Sequence, residues 1–358
     1  MAYTTINKST DYFNTLLWTG DNASSRTLTG VGFQPDWVWQ KCRSHTVPHL
    51  IYDAVRTAGN DKELCSNDTT AQGGQSAETD GYMSAFTSDG FTVSAGSSGT
   101  PSYVNASGRT FASWNWKANG QGSSNTDGSV NTTYTSVNTT AGFSIVKYAG
   151  TGSAQSMGHG LGSAPKVIIV KTLTGSSNTA WIFYTTAIDG SLDTLALQTT
   201  QAKADSSTTP PTSSVFYVPA SSANTNTNGR DYIAYCFAEK TGYSKFGSYT
   251  GNGNADGTFV YTGFKPAWVL VKNSQQGGDH WYIWDNKRPG YNQIQKYLGP
   301  SRNNAEADSS SYAIDMVSNG FKIRSSTGAI NNNGETIVYI AFAEAPLVGN
   351  NNVPCTAR

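Results

Sequence analysis

The apolar residues of this chain fall in short runs that are separated by glycine-rich polar segments. The runs are rich in β-branched and aromatic residues, which is typical of β-strands, and the Asn-Gly and Asp-Gly pairs between them predict tight hairpin turns. Apart from one candidate turn near residues 194–202, no segment has the apolar period of a helix. The pattern therefore predicts an all-β fold made of β-sandwich units of the jelly-roll or lectin-like type.

The apolar run at residues 229–237 indicates which faces of its strand are buried. Residues 229–237 alternate so that both faces of the predicted strand carry apolar or aromatic side chains. Such a strand is expected in the middle of a sheet that is covered on both sides. One face has Tyr232, Ala234 and Cys236, and the other has Ile233, Tyr235 and Phe237.

An internal repeat is the strongest signal, because three segments align without gaps over about twenty residues. In each copy a first glycine is followed twelve positions later by a second, then by a proline three positions on, and by a lysine six positions after that. The second glycine predicts a turn, and the proline is predicted at the first residue of a strand, where a missing N–H is tolerated. The copies are Gly20, Gly32, Pro35 and Lys41; Gly150, Gly162, Pro165 and Lys171; and Gly251, Gly263, Pro266 and Lys272.

The repeat sets the predicted domain boundaries. We predict three superposable tandem β-modules, called modules one, two and three below, at residues 15–117, 143–240 and 241–346. The first glycines should be equivalent, and the lysines should fall near the ends of equivalent strands. Because the linkers are unequal, we expect beads along an axis rather than a closed ring. Residues 1–14 are predicted as an arm, 118–142 as a linker or long loop rich in Gly, Ser, Asn and Thr, and 347–358 as a polar tail.

The charge pattern limits the partners. Lys+Arg is 24 and Asp+Glu is 24, so the formal net charge is zero, and the chain lacks the basic footprint of a nucleic-acid-binding protein. Charged residues make up only 13% of the chain, and such residues are depleted in interface cores. We therefore expect contacts with other proteins and self-association. By analogy with oligomers that close with cyclic symmetry, we expect a homotrimer, and a pseudo-threefold monomer is the competing arrangement. The arm and the tail are expected to be held between subunits.

Cysteine usage and hydropathy indicate the compartment. The spacing of Cys42, Cys65, Cys236 and Cys355 matches neither a metal pattern nor a small disulfide framework. A pair between Cys42 and Cys65 stays open, and a reducing compartment is the default. The N-terminus lacks the apolar stretch of a secretory signal, and no apolar run approaches the roughly 20 residues of a membrane helix. We expect no membrane insertion.

Two features resemble metal sites. His45 and His49 lie close together, but copies two and three of the repeat have no such pair, so loop or strand-edge positions explain them better. Residues 252–257 resemble the opening of a calcium loop, yet Gly263 stands where the bidentate Glu is expected, so a hairpin turn is favoured. The sequence therefore predicts no metal and no cofactor, and a chelator should leave the melting temperature unchanged.

Paired acidic and basic residues recur at similar places in modules one and three. Asp53 is followed three residues later by Arg56, and Asp285 is followed likewise by Arg288. A structural ion pair at a turn explains this recurrence better than a catalytic site, because module two has Asp189 there without an Arg. No nucleophile elbow, P-loop or dinucleotide fingerprint is present. We assign no catalytic residue.

Two tryptophan pairs are candidates for ligand contact. Trp37 and Trp39 lie two positions apart and so share a strand face, as do Trp114 and Trp116. An exposed pair of this kind can stack on sugar rings, whereas core packing is the structural alternative. These four residues are the candidate glycan-binding residues.

Several of these motifs resemble a known repeat family. They are Gly32-Phe-Gln-Pro-Asp-Trp-Val-Trp-Gln-Lys41, Trp114-Asn-Trp-Lys-Ala118, and Gly158-His-Gly-Leu-Gly-Ser-Ala-Pro-Lys-Val-Ile-Ile-Val-Lys171, together with the opening Tyr3–Ser9 and the ending Asn351–Arg358. The chain resembles, over nearly its whole length, virion proteins of tailed phages of marine bacteria, especially cyanophages. The resemblance implies a tail-fibre or lectin-like virion protein that is assembled in the host cytoplasm.

Three functions follow from the resemblance and the composition. The first is a tail fibre or adhesin component that contacts glycans on the host surface as well as other virion proteins. The second is a capsid or tail decoration protein with a purely structural role. A glycan-cleaving tail enzyme is the least favoured, because no pair of catalytic carboxylates is evident. We expect a non-enzymatic virion protein.

Overall fold

Almost the whole described chain consists of β-strands and turns. The computed structural model describes residues 3–175 and 178–349. Helices α1 (Ala77–Asp80) and α2 (Gly328–Asn331) have four residues each, and 3-10 turns span Ser9–Asp11 and Ser310–Tyr312. The predicted all-β fold is therefore confirmed. Within the described ranges, no helix has the length and apolar character that crossing a membrane requires.

Module one contains two antiparallel sheets. Its strands are β1 (Phe13–Thr19), β2 (Ser25–Thr29), β3 (Trp37–Cys42), β4 (Leu50–Asp53), β5 (Tyr82–Thr87), β6 (Gly90–Ser94) and β7 (Thr110–Trp116). The larger sheet has the order β1-β7-β3-β4, and the smaller has the order β2-β6-β5. Trp18, Phe91 and Phe111 contribute to a hydrophobic core that belongs to this module alone.

Module two has the longest sheet. Its strands are β8 (Tyr134–Asn138), β9 (Phe143–Ala149), β10 (Gln155–Gly158), β11 (Val167–Thr172), β12 (Ile182–Thr185), β13 (Asp193–Ala196), β14 (Ala204–Asp205), β15 (Val215–Val218) and β16 (Asp231–Phe237). Seven strands run in the order β8-β9-β16-β11-β12-β13-β14, and β10 pairs with β15. Strand β8 lies inside the predicted linker 118–142, so this segment is part of the sheet rather than a free spacer.

Module three repeats the plan of module one. Its strands are β17 (Ser244–Thr250), β18 (Phe259–Tyr261), β19 (Phe264–Asn273), β20 (Tyr282–Asp285), β21 (Lys296–Tyr297), β22 (Ala307–Asp308), β23 (Ile314–Val317), β24 (Gly320–Ile323) and β25 (Thr336–Pro346). The larger sheet has the order β17-β25-β19-β20, the smaller has the order β18-β24-β23, and β21 pairs with β22.

The same four-strand order occurs in all three modules. Strands β1-β7-β3-β4 correspond to β9-β16-β11-β12 and to β17-β25-β19-β20. The register is the same too, because Trp37 pairs with Trp116, Val167 with Phe237, and Trp268 with Phe342. The repeat lysines Lys41, Lys171 and Lys272 are each the penultimate residue of their strand.

The first glycines of the repeat make the same contacts in every copy. The N–H of each of these glycines, Gly20, Gly150 and Gly251, donates to the carbonyl of the residue that precedes the central strand. The carbonyl of each accepts from the N–H of another glycine, which is not part of the repeat spacing, and all these distances are 2.8–3.1 Å. A β-carbon at any of them would lie 2.0–2.2 Å from a backbone oxygen. Only glycine fits this close approach, so the repeat preserves it. The second glycines, Gly32, Gly162 and Gly263, have φ values of 91°, 69° and 81°.

The repeat prolines do not begin their strands as predicted. Pro35 and Pro165 lie two residues before β3 and β11. Pro266 lies inside β19, where the pairing register shifts on both sides of it. A bulge removes the ladder hydrogen bond that proline cannot make, which explains how a strand interior tolerates it.

The larger sheets of the three modules face one common core. This core contains Trp39 of module one, Ile169 of module two and Trp268 of module three. The central strand β16 behaves as predicted, because Ile233, Tyr235 and Phe237 enter the shared core while Tyr232, Ala234 and Cys236 enter the core of module two. Each larger sheet is therefore covered on both faces.

The three modules form a closed ring. The Trp181 indole of module two donates to the Cys65 carbonyl of module one across 2.7 Å, and the Trp281 indole of module three donates to the Ala196 carbonyl of module two across 3.1 Å. The Trp114 indole of module one donates to Asp285 of module three across 3.0 Å. The expectation of beads along an axis is therefore wrong. Linker length limits how far modules can separate, whereas the apolar second face of each sheet decides that they pack together.

The N-terminal arm is held by its own chain in the structure. Tyr3 donates to the Gly263 carbonyl across 2.6 Å, and Thr4 donates to the Thr241 carbonyl across 2.6 Å. Ile6 is buried in the shared core. No second subunit is needed to explain the order of this arm. Of the predicted tail, residues 350–358 lie outside the described residues.

Candidate functional site

The four candidate glycan-binding tryptophans are buried in the shared core. Trp37, Trp39, Trp114 and Trp116 are at most 2% exposed. Trp37 packs on Trp116 with ring centroids 4.5 Å apart, and Trp39 meets Trp114 edge to face at 6.0 Å. Stacking on a sugar requires a ring face that solvent can reach, so the glycan-binding assignment of these residues is wrong. Their sequence pattern reflects a sheet covered on both faces.

The recurring Asp-x-x-Arg sequences form buried ion pairs. Arg56 contacts Asp53 and Arg288 contacts Asp285, each across 2.6 Å. Each carboxylate also binds a neighbouring module, because Asp53 accepts from the Tyr235 hydroxyl at 2.7 Å and Asp285 accepts from Trp114. Each ion pair therefore lies within one module, and its carboxylate links that module to a neighbour.

A third carboxylate strengthens one of these junctions. Glu306 of module three receives two hydrogen bonds from Arg43 of module one, at 2.9 and 3.1 Å, and a third from Arg288 at 2.9 Å. Burial works against the charge on Glu306, but the two guanidinium groups lower its pKa overall. A carboxylate held in this way stays ionised and does not act as a proton donor near neutral pH.

The histidine pair does not form a metal site. His45 is exposed, whereas His49 is completely buried and accepts a hydrogen bond from the Trp39 indole at 3.0 Å. Burial lowers the pKa of His49 well below its usual value. In the part of the chain that the structure describes, no three His, Cys, Asp or Glu side chains converge as metal ligands.

The calcium-like turn at residues 252–256 is filled by a side-chain amide. The Asn331 amide nitrogen donates to the Asn252 side chain at 2.9 Å and to the Asn254 carbonyl at 2.8 Å. The Asp256 carboxylate pairs with Lys322 at 3.0 Å and with Arg324 at 3.3 Å. The oxygens that calcium would need already have partners.

Cys42, Cys65 and Cys236 are free thiols. The candidate pair of Cys42 and Cys65 is therefore not formed. Burial raises the pKa of Cys65 well above its usual value, which makes this thiol a poor nucleophile. Cys355 lies outside the described residues.

Two of the four exposed aromatic side chains among the described residues lie together at one edge of module three. Phe259 and Tyr261 are 45% and 54% exposed, and both lie on the outward face of edge strand β18. Val260 between them points into the core of module three. The sequence analysis proposed two exposed aromatic rings on one strand face for the tryptophan pairs. Phe259 and Tyr261 have this arrangement and are exposed.

The other two modules have small residues at the same positions. Phe259 pairs with Lys322 in β24, and the matching positions are Thr27, opposite Thr92, and Ser156, opposite Tyr217. Tyr261 corresponds in the same way to Thr29 and Gly158. The fold therefore does not require aromatic residues there. A comparison of the repeats extended to this strand would have found them from the sequence.

Tyr261 borders a groove between the arm and the junction of modules two and three. Two adjoining depressions of about 380 and 300 Å3 share Tyr3, Glu239 and Thr241 in their walls. Tyr3 is 37% exposed. A β-carbon at Gly263 would lie 2.6 Å from the Tyr3 hydroxyl and 3.6 Å from the Tyr261 hydroxyl, so a glycine here allows the close approach of the Tyr3 hydroxyl. We call this region the arm groove.

Charged side chains line the opposite side of the arm groove. Glu239 contacts Lys166 at 2.9 Å and Lys245 at 3.3 Å, and it accepts a hydrogen bond from the Phe246 N–H at 2.8 Å. Lys240 also lines the groove, and its stem passes close to Gly142. Among the described lining residues, Glu239 is the sole carboxylate, so the arm groove offers aromatic faces, hydroxyls and cations for binding.

A larger depression in module two has a different character. It measures about 440 Å3, and its walls consist mainly of Ser, Thr, Ala and Pro with Gln155 and Tyr217. None of the described residues in its walls carries a charge. The arm groove is the better candidate site, because Tyr261 lines it and Phe259 lies two residues away on the same outward face of β18, outside the groove walls.

The chain belongs to a family whose model matches residues 8–346 and is described as a domain of unknown function, DUF7483. No curated protein matches the chain. No solved structure matches it either. The match spans all three modules.

Proposed function

We propose that this chain is a structural protein of a phage virion, and that it serves as a tail fibre or adhesin component whose arm groove binds glycans of the host surface. The resemblance of its repeat motifs to tailed-phage virion proteins supports the virion role. The observation that carries the adhesin role is the exposed pair Phe259 and Tyr261, because the two other modules have small residues there.

The arm groove has the composition of a saccharide site. Sugar rings present apolar C–H faces that pack on aromatic rings, and hydroxyls that pair with polar groups. Tyr3 and Tyr261 supply ring faces, and Thr241, Ser244 and Thr262 supply hydroxyls or backbone groups nearby. Glycoside hydrolysis uses two carboxylates, and the described walls of the groove contain Glu239 alone, so cleavage is not part of this proposal.

A double substitution tests the adhesin role. Phe259→Thr with Tyr261→Thr gives β18 the residues that module one has at these positions, so the fold should tolerate the change. Binding to host-surface polysaccharide should weaken about thirtyfold, since removing aromatic residues at a binding hot spot costs about 2 kcal/mol or more. Tyr291→Ser is the matched control, because Tyr291 is 80% exposed and lies outside the groove walls. Equal binding by all three proteins would overturn the adhesin role.

A decoration protein is the second candidate function. The closed ring favours it, because the buried carboxylates of Asp53 and Asp285, each paired within its own module, also accept a hydrogen bond from a neighbouring module. A body joined in this way is a rigid building block. Counting this chain in purified particles separates the two functions, since decoration proteins are abundant and fibres are few. A copy number in the hundreds per particle would favour decoration over adhesion.

Self-association as a homotrimer and contact with other virion proteins complete the proposal. The low charge content of 13% supports both. The ring already supplies a threefold arrangement within one chain, so a monomer is the competing outcome. The mass of the chain in solution decides between them.

A further inference from the structure

We infer that the ligand of the arm groove is an anionic saccharide, such as a chain of uronic acids, with its carboxylate bound by Lys240. This inference rests on the proposed function, since it assumes that the groove binds a glycan. It is carried by the charge distribution in the groove and by the environment of Lys240.

Positive charge exceeds negative charge in the arm groove. Lys240 and Lys245 line it together with one carboxylate, Glu239, and Lys166 contacts that carboxylate as well. The chain as a whole has equal numbers of basic and acidic residues, so this excess is a local feature. A cleft with an excess of positive charge attracts anions.

Lys240 is the lysine of the groove that is available for a ligand. Lys166 and Lys245 are already paired with Glu239. Among the described residues, no acceptor lies within hydrogen-bonding distance of the Lys240 ammonium group, and no carboxylate pairs with it. The Lys240 N–H donates to the Ser244 hydroxyl at 3.0 Å, and a β-carbon at Gly142 would lie 3.0 Å from the Lys240 Cε atom. The backbone and stem are thus positioned by the protein.

The two ends of the groove suit two parts of one ligand. The Tyr261 ring lies at one end and can stack on a sugar face, whereas Lys240 lies in the adjoining depression beside Tyr3. Together the depressions have the volume to hold a short oligosaccharide. A neutral sugar would leave the Lys240 ammonium group without a partner, and a carboxylate on the sugar would provide one.

A set of matched ligands tests the charge requirement. Calorimetry with the full chain would use oligogalacturonate, its methyl ester, and a neutral galactan oligosaccharide. The acid should bind about fivefold more tightly than its ester, which is the upper range for one exposed ion pair. The affinity of the acid should fall as the salt concentration rises from about 0.05 to about 0.5 M, because salt screens an exposed ion pair between a carboxylate and a lysine. Equal affinities for acid and ester would overturn the inference.

Substitutions separate failure of this inference from failure of the proposed function. Lys240→Gln should remove the preference for the acid and leave binding of the ester unchanged, whereas Lys296→Gln, which removes a lysine outside the groove walls, should change neither. If Phe259→Thr with Tyr261→Thr abolishes binding but Lys240→Gln has no effect, the groove binds glycans and the charge inference is wrong. If no saccharide binds to the unsubstituted chain, the proposed function itself is wrong.

Discussion

The hydroxyl group of Tyr235 in module two donates a hydrogen bond to the carboxylate of Asp53 in module one, across 2.7 Å. The equivalent position in module one is Trp114, and it donates to Asp285 of module three, the equivalent of Asp53. In module three this position is Ile340, which pairs with Leu270 and has no polar side chain. Two of the three junctions of the ring therefore have the same polar contact.

Removing the hydroxyl at one junction should destabilise the ring. Tyr235→Phe leaves the buried pair of Asp53 and Arg56 with one donor fewer, and hydrogen bonds to charged groups contribute about 1.5–3 kcal/mol. We expect the free energy of unfolding in urea to fall by about that amount. Tyr217→Phe, at a half-buried tyrosine in β15, is the control and should unfold like the wild type. An unchanged midpoint for Tyr235→Phe would show that this bond does not stabilise the junction.

The shared core predicts that the three modules unfold together. Side chains from every module pack in it, so a module that unfolds exposes the larger sheets of the other two. Scanning calorimetry should give one transition whose calorimetric and van't Hoff enthalpies agree. Trp39→Ala opens a cavity in the shared core. It should lower the free energy of unfolding by roughly 3–5 kcal/mol and leave a single transition. Two or more separate transitions would contradict cooperative unfolding of the ring.

The sequence predicts the all-β character of the chain well and the arrangement of its modules poorly. Strand positions, the doubly covered strand β16 and the equivalent glycines follow from local spacing and alternation, which the chain repeats three times. The placement of Trp37 and Trp116 could not be read in the same way, because apolar residues on both faces of a strand do not indicate what covers the second face. The cover is supplied by other modules, at large separations along the chain.

The arm groove was also beyond local sequence patterns. Tyr3 contacts Gly263, which lies 260 residues away, and Glu239 lies at the junction of two modules. Glu239 belongs to no motif, and the opening motif that contains Tyr3 does not indicate which part of the chain Tyr3 contacts. Phe259 and Tyr261 are different, because their departure from Thr27 and Thr29 can be seen once the copies are aligned in this strand.

The buried lysines of the repeat predict a rise of stability with pH. Burial lowers the pKa of Lys171 from 10.5 to about 8, although Asp68 nearby acts in the opposite direction. The folded chain thus releases this proton near pH 8, and the unfolded chain keeps it until about pH 10.5. In that window the unfolded state binds more protons, so the contribution of this site to stability increases with pH.

Comparison with a variant isolates this contribution. Unfolding free energies of the wild type and of Lys171→Met should be measured between pH 7 and 9.5. Their difference should shift in favour of the wild type above about pH 8, by up to about 1.4 kcal/mol per pH unit. The control Lys8→Met removes an exposed lysine and should run parallel to the wild type. Parallel curves for Lys171→Met would show that this ammonium group is not affected by burial.

The free thiols should be inaccessible in the folded chain. Cys42, Cys65 and Cys236 are at most 1% exposed. In a Cys355→Ser background, a thiol reagent such as dithiobisnitrobenzoate should label none of them at neutral pH and all three after unfolding in guanidinium. Addition of a reducing agent should leave the melting temperature unchanged. Rapid labelling of a native thiol would indicate an opening of the core.

The mass in solution tests the proposed homotrimer. One chain has a mass of 38.1 kDa, so multi-angle light scattering at micromolar concentration should give about three times this value. The structure alters one reason for this prediction, because the arm is held by Gly263 and Thr241 of its own chain. The remaining reason is the low charge of the surface. Because few charged groups would lie in the interface, the trimer should not dissociate in high salt. Removal of residues 1–8 would expose the part of the shared core that Ile6 covers. It should therefore lower the melting temperature whether the chain is a monomer or a trimer. A strictly monomeric mass would overturn the homotrimer, and the ring of modules would then be the complete threefold body.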